Sequence, residues 1–249
     1  MKKNILIFTI IVITTACQDK AVRYHNSGNQ KAELEKFFAA IDDYNKAIEL
    51  DSNYAYAYFS RGNAKGEIGD NKGAIADYTK AIELNSKDDN TDRYDDVLED
   101  AKVYNRRGFA KGEIGDNKGA IADYTKGIEL NPNWRIESSL YNNRGFAKGE
   151  IGDYEGAIAD YNKAIENDKG SDIAFSNRGY AKYMLEDYRG SLADYNIAIN
   201  LDSTHKFYYY LRGNLKYKFS DLNGACLDWS KAGELGETDA YDSIKKHCK

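Results

Sequence analysis

The side chains with the most chemical potential in this chain recur on a fixed spacing. An arginine and a lysine stand four residues apart at Arg61 and Lys65, Arg107 and Lys111, Arg144 and Lys148, Arg178 and Lys182, and Arg212 and Lys216. Four residues is about one helical turn, so each pair would project two cations from one stripe. An aspartate recurs directly before an aromatic at Asp43, Asp77, Asp123, Asp160, Asp194 and Asp228. Cations in register could bind a run of anions. The acids recur alongside the bases, however, so the pattern reads as a ladder of Arg–Asp pairs linking two helices, with an anion-binding stripe as its rival. Exposed pairs contribute about 0.2–1 kcal/mol each, whereas a partly buried pair leaves a stranded charge when one partner is removed.

Other reactive groups form no recognisable constellation. Asp88, Asp89, Asp92, Asp95, Asp96, Glu99 and Asp100 cluster, but they lack the alternating acids and sharp-turn glycine of a calcium loop. Tyr94, Val97, Leu98, Ala101 and Tyr104 step by three or four, which predicts a helical extension instead. Thr91 is its expected N-cap, with Asp92 and Asp95 near the positive end of the helix dipole. Such an acidic helix could dock a partner. His25, His205 and His247 are scattered, and His25 is expected at a surface or capping position rather than as a ligand. There is no HExxH, GxSxG, phosphate-binding loop or dinucleotide fingerprint. Enzymatic activity, a cofactor and a metal site are therefore not expected.

The elements that position these groups are repeated. Tyr58 to Leu84 has near-copies at Tyr104 to Leu130 and Tyr141 to Asn167, and weaker copies begin at Tyr24, Phe175 and Tyr209. Their shared glycines are Gly28, Gly62, Gly108, Gly145, Gly179 and Gly213, spaced 34, 46, 37, 34 and 34 residues apart. Within a copy, Tyr58, Gly62 and Lys65 mark one helical face, Gly69-Asp70-Asn71 a turn, and Ala74, Ile75, Tyr78, Ala81 and Ile82 a second helix. Helices this short are marginal alone and need stacked copies to bury a core.

This pattern resembles the tetratricopeptide repeat (TPR) family, whose period is 34. The family's aromatic is Tyr24, Tyr58, Tyr104, Tyr141, Phe175 and Tyr209. Its glycine is kept throughout, and its alanine is Ala40, Ala74, Ala120, Ala157, Ser191 and Ala225. Its phenylalanine becomes Tyr44, Tyr78, Tyr124, Tyr161, Tyr195 and Trp229. Its leucine before the glycine is Arg or Ser27, its tyrosine is lysine, and its proline survives only as Pro132. The resemblance implies an all-α fold: a right-handed α-solenoid of about six repeats plus a C-terminal capping helix. The expected repeats are 21–54, 55–88, 101–134, 138–171, 172–205 and 206–237, together spanning 21–237 with the acidic insertion at 89–100 and the cap at 238–249. Residues near Trp134 to Glu137 are expected to lengthen the fourth repeat's first helix.

Residues 1–16 stand apart. Lys2 and Lys3, an apolar run from Ile5 to Ile13, and small residues before Cys17 describe a secretory signal too short to span a membrane, which takes about 20 residues. The ending resembles a bacterial lipoprotein signal, which implies a lipid on Cys17, a tether at 17–20, and a place at the cell envelope, with Gln18 pointing to the outer membrane. Removing residues 1–16 leaves 33 basic against 40 acidic side chains, a formal charge of −7. That balance gives no footprint for nucleic acid, and membrane attachment would rest on the lipid alone.

By resemblance, the first helices line a concave groove that takes a protein or peptide. The expected lining is Tyr56, Phe59, Asn63, Asn105, Phe109, Asn142, Phe146, Tyr180, Tyr183, Tyr210, Asn214 and Tyr217. Gly66, Gly112 and Gly149 fall in register with Tyr183 and Tyr217, and imply close approach by either the neighbouring helix or a ligand backbone. Asn29, Lys102 and Arg106 only hint at a carboxylate clamp. Asp239 to Lys249 reads as the cap, with Ala240, Tyr241 and Ile244 as its apolar stripe. With Cys17 lipidated, Cys226 and Cys248 remain and invite a disulfide in an oxidising compartment. It would be worth roughly 3 kcal/mol. The expected function is a binding scaffold or adaptor; the alternative is a fixed subunit of an envelope assembly or secretion complex.

Overall fold

The structure is a computed structural model that describes residues 2–85, 99–130 and 132–248, with side chains from residue 18 onward. The reading of Cys17 and that of the acidic insertion up to residue 98 lie outside the described side chains. The described residues form thirteen α-helices and no strand. They divide into two compact units, Met1–Leu130 and Asn131–Lys249.

The N-terminal unit contains α1 (Lys2–Glu33), α2 (Phe37–Leu50), α3 (Ala55–Glu67), α4 (Asn71–Asn85), α5 (Asp100–Glu113) and α6 (Asn117–Glu129). The C-terminal unit contains α7 (Trp134–Glu150), α8 (Tyr154–Asn167), α9 (Asp172–Met184), α10 (Tyr188–Leu201), α11 (Lys206–Lys218), α12 (Leu222–Glu234) and α13 (Asp239–His247). Each odd helix up to α11 pairs with the even helix after it, and within each unit successive pairs stack. Helix α7 has 17 residues where α9 and α11 have 13. Among the described residues no helix is long and apolar enough to cross a membrane.

Small residues set the helix spacing. Ala40, Ala47, Ala74, Ala81, Ala157, Ala164 and Ala225 have no exposed surface, so their backbones meet a neighbour directly. A Cβ added at Gly62 would lie 2.7 Å from the Tyr78 ring, and one at Gly213 would lie 2.7 Å from Trp229. These glycines hold the aromatic of the second helix against the backbone of the first.

All six intra-repeat turns use one left-handed residue. It is Gly69, Gly115 and Gly152 in three of them, and Glu35, Glu186 and Ser220, at φ 56°, 63° and 64°, in the others. The aspartate that follows caps the second helix: Asp116, Asp153, Asp187 and Asp221 each accept the N–H of a glycine three residues on, at 2.9 Å. This satisfies one orphan donor of each helix start.

Two expectations need correction. His25 is buried rather than exposed: its Nε2 lies 2.9 Å from Ser60 Oγ and its Nδ1 3.1 Å from Tyr54 hydroxyl, so it joins the first repeat to the second. In the cap, Ala240 is fully buried against Trp229 and Ile244 packs beside it. Tyr241 is more than half exposed, its ring lying over Gly233 and its hydroxyl donating to the Gly233 carbonyl at 2.9 Å. A nine-residue helix lying on one neighbour has room for a narrow buried stripe only.

Candidate functional site

The charged ladder is a set of clips. In α9, Arg178 donates from Nε and Nη2 to the two oxygens of Asp194 at 2.9 and 2.6 Å, while Lys182 Nζ lies 2.8 Å from the same carboxylate. Arg178 Nη1 donates to Asn162 Oδ1 of the preceding repeat at 2.7 Å, and its guanidinium covers the Phe175 ring at 5.2 Å. Arg212 repeats this with Asp228, Lys216, Asn196 and Tyr209. Arg61 does so with Asp77, Lys65, Asn45 and Tyr58. Each of these three arginines thus ties its own helix pair together and reaches the pair before it.

This geometry decides between the two readings of the cations. Their donors are engaged by buried aspartates, so the stripe is structural and offers no anion site. The bond to Asp160 holds Arg144 above its ordinary pKa. In the first repeat, Lys31 and Ser27 engage Asp43 in place of an arginine. Burial works against ionisation of Asp43, but the bonds from Lys31 and Ser27 outweigh it and hold its pKa below the usual 3.8.

The residue after each first-helix glycine divides the candidate groove. Asn29 accepts the Tyr44 hydroxyl at 2.8 Å, Asn63 the Tyr78 hydroxyl at 2.9 Å, and Asn214 the Trp229 Nε1–H at 2.9 Å. Burial pushes the Tyr44 hydroxyl up to about 12 and that of Tyr78 higher still, so both stay protonated donors at neutral pH. At the same position stand Phe109, Phe146 and Tyr180, which are 53%, 57% and 48% exposed. Asparagine there completes the core; an aromatic there leaves the core and meets solvent.

The other expected groove residues also separate. Phe59 packs on Tyr78 with centroids 5.9 Å apart, and Tyr56 is partly buried against the same cluster. Asn105 is partly buried and engaged. Asn142 accepts from Asn177 Nδ2 at 3.2 Å, linking α7 to α9. Tyr210 packs against the cluster of Ala225 and Trp229. Tyr183 rests on Tyr188, with centroids 5.6 Å apart, and Lys218 Nζ lies 5.1 Å from its centroid. Tyr217 is exposed on one side and covered on the other by His247, at 4.4 Å.

The three in-register glycines do not serve the neighbouring helix. A Cβ at Gly149 would meet nothing within 4 Å, and at Gly66 and Gly112 only side-chain oxygens at 4.0 and 3.9 Å. Space is left at Gly112 and Gly149, one turn after the exposed Phe109 and Phe146. Sequence reasoning did not separate the bonded asparagines from the exposed aromatics. The available signal was the residue type: the amides of Asn29, Asn63 and Asn214 can accept from the core aromatic 15 residues on, and the rings of Phe109 and Phe146 at that position cannot.

The architecture is that of an all-α helix-pair repeat protein whose first helices carry an exposed aromatic set. Models of the tetratricopeptide repeat match residues 55–88, 101–133 and 138–170, and a TPR repeat model matches residues 28–69, together just over half of the chain. The chain belongs to the tetratricopeptide repeat family. Among curated protein sequences none matches.

Solved structures share the fold at low identity. A structure from the functional characterisation of Pseudomonas aeruginosa pilF aligns with a TM-score of 0.74 at 16% identity, over 93% of this chain and 99% of that one. The APC/C hetero-tetramer Cut9-Hcn1 gives 0.72 at 17%, over 97% of this chain and 46% of that chain, so this chain spans less than half of that subunit. YrrB, described as a TPR protein with an unusual peptide-binding site, gives 0.60 at 23%, over 79% of this chain and 95% of that one.

Proposed function

We propose that this chain is a scaffold that holds a protein or peptide segment on its first-helix face, tethered to a bacterial cell envelope by a lipid on Cys17. The observation that carries the binding reading is the outward set Phe146 and Tyr180 in the C-terminal unit, flanked by the open space at Gly149. Aromatic side chains supply large contact area with little loss of side-chain freedom, and they concentrate binding energy where they enter a partner's surface. Proteins of this family are generally non-catalytic scaffolds. The tether rests on the basic start, short apolar run and small residues before Cys17.

The test is affinity capture from envelope extracts with the full chain and with a Phe146→Ala/Tyr180→Ala variant. Several substoichiometric partners lost together in the variant support an adaptor. One partner in constant ratio, lost in the variant, supports a fixed subunit. Partners that persist in the variant remove this face from the account. Labelling with a radiolabelled fatty acid, lost in Cys17→Ser, tests the tether separately.

A further inference from the structure

The disulfide between Cys226 and Cys248 closes the end of the C-terminal unit, with Cα atoms 5.8 Å apart. It fixes the end of α13 to the first half of α12. Helix α13 has nine residues and packs on α12, burying Ala240 and Ile244 beside Trp229. Its last residue, His247, lies on Tyr217 at 4.4 Å and near Trp229 at 5.9 Å. The cap therefore covers one side of Tyr217 on α11 and the core residue Trp229 of α12, and a helix this short has little hold of its own.

The bond is partly exposed. Both cysteines line an open cavity of about 380 Å³ with Leu222, Leu227, Ser230 and His247. Leu227, 73% exposed at the rim, stands where the internal repeats carry Ala76, Ala122, Ala159 and Ala193. Exposed disulfides are the ones that exchange readily, whereas buried structural cysteines are inert.

We propose that Cys226–Cys248 is a latch opened by a dithiol reductant, and that its reduction frees α13. A thiolate of the dithiol bonds to Cys248 Sγ, the Cys226–Cys248 bond breaks, and Cys226 leaves as a thiolate. The second thiol of the reductant then displaces Cys248 from the mixed disulfide. The dithiol is oxidised to its own disulfide, two electrons pass to the cystine, and the two protons end on Cys226 and Cys248. Release of α13 uncovers Trp229 and the covered side of Tyr217. That this lengthens a partner-binding face rests on the function proposed above; the latch itself does not.

The experiment uses the full chain, without a partner, so the two readings can fail separately. It is treated with a thioredoxin-type protein dithiol under native conditions, free thiols are counted, and amide hydrogen exchange is followed, with Cys226→Ser/Cys248→Ser alongside. The expected result is a gain of two thiols and exchange in residues 239–248 faster by at least about tenfold, with α7 to α10 unchanged. Trp229 fluorescence, read in a Trp134→Phe background, should shift to the red. A bond that resists the dithiol in the folded chain overturns the proposal. So does a cap that stays protected after reduction and in the double serine variant.

Discussion

The two compact units build the same repeat and finish it differently. In the N-terminal unit the position after the glycine is Asn29 and Asn63 in the first two repeats, each closing a bond to a buried tyrosine hydroxyl, and only Phe109 turns outward. In the C-terminal unit Phe146 and Tyr180 turn outward in the first two repeats, and the asparagine returns only at Asn214 beside the cap. One position thus serves either the core or the surface. The charged clips are common to both units; what sits one residue past the glycine decides which presents an apolar face.

The largest expected effect tests what the units share. Asp194→Ala strands Arg178 and Lys182 beside a buried site and should cost about 3–5 kcal/mol in urea unfolding. Asp43→Ala should cost less, because its cations Lys31 and Lys46 are more exposed than the arginine and lysine of the other clips. Equal losses would mean that burial of the arginine clip adds nothing.

The glycines should divide next. Gly62→Ala forces the Tyr78 ring aside and should destabilise by about 1–3 kcal/mol. Gly149→Ala meets nothing within 4 Å and should stabilise α7 by up to about 1 kcal/mol. Glu186→Gly, relieving a left-handed glutamate, should likewise add about 1 kcal/mol. Thermal unfolding of the three variants reads out all of these, and a gain for Gly62→Ala would contradict the packing account.

The exchange of roles should be nearly silent in stability. Phe146→Asn places an acceptor near the Tyr161 hydroxyl and should change stability by less than about 1 kcal/mol while removing partner capture. A smaller effect lies in acid. The pKa of Asp43 is depressed in the folded chain, so its stabilisation is complete above the unfolded value of 3.8 and is lost as pH falls through the folded value. Asp43→Asn should flatten that loss in an acid titration.

Much of this was legible from spacing. Six glycines, six aspartates and five Arg–Lys pairs placed the helix pairs and the ladder, because those groups act within one or two turns of chain. What escaped depends on contacts between repeats. The burial of His25 requires Tyr54 and Ser60 from the next repeat. The division of the groove requires knowing that a tyrosine hydroxyl 15 residues away claims the asparagine. Tyr241 fits the helical period but lies off the narrow buried stripe of α13, and the free space at Gly149 can be seen only once its neighbours are placed.

The most direct measurement is site-specific photocrosslinking in intact cells. Benzoylphenylalanine is placed in separate chains at Tyr180, on the exposed aromatic face, and at Asn162, on the second-helix side. The account predicts that the Tyr180 probe crosslinks to a partner and the Asn162 probe does not. A partner captured only from Asn162, or equally from both positions, would contradict the assignment of binding to the first-helix face.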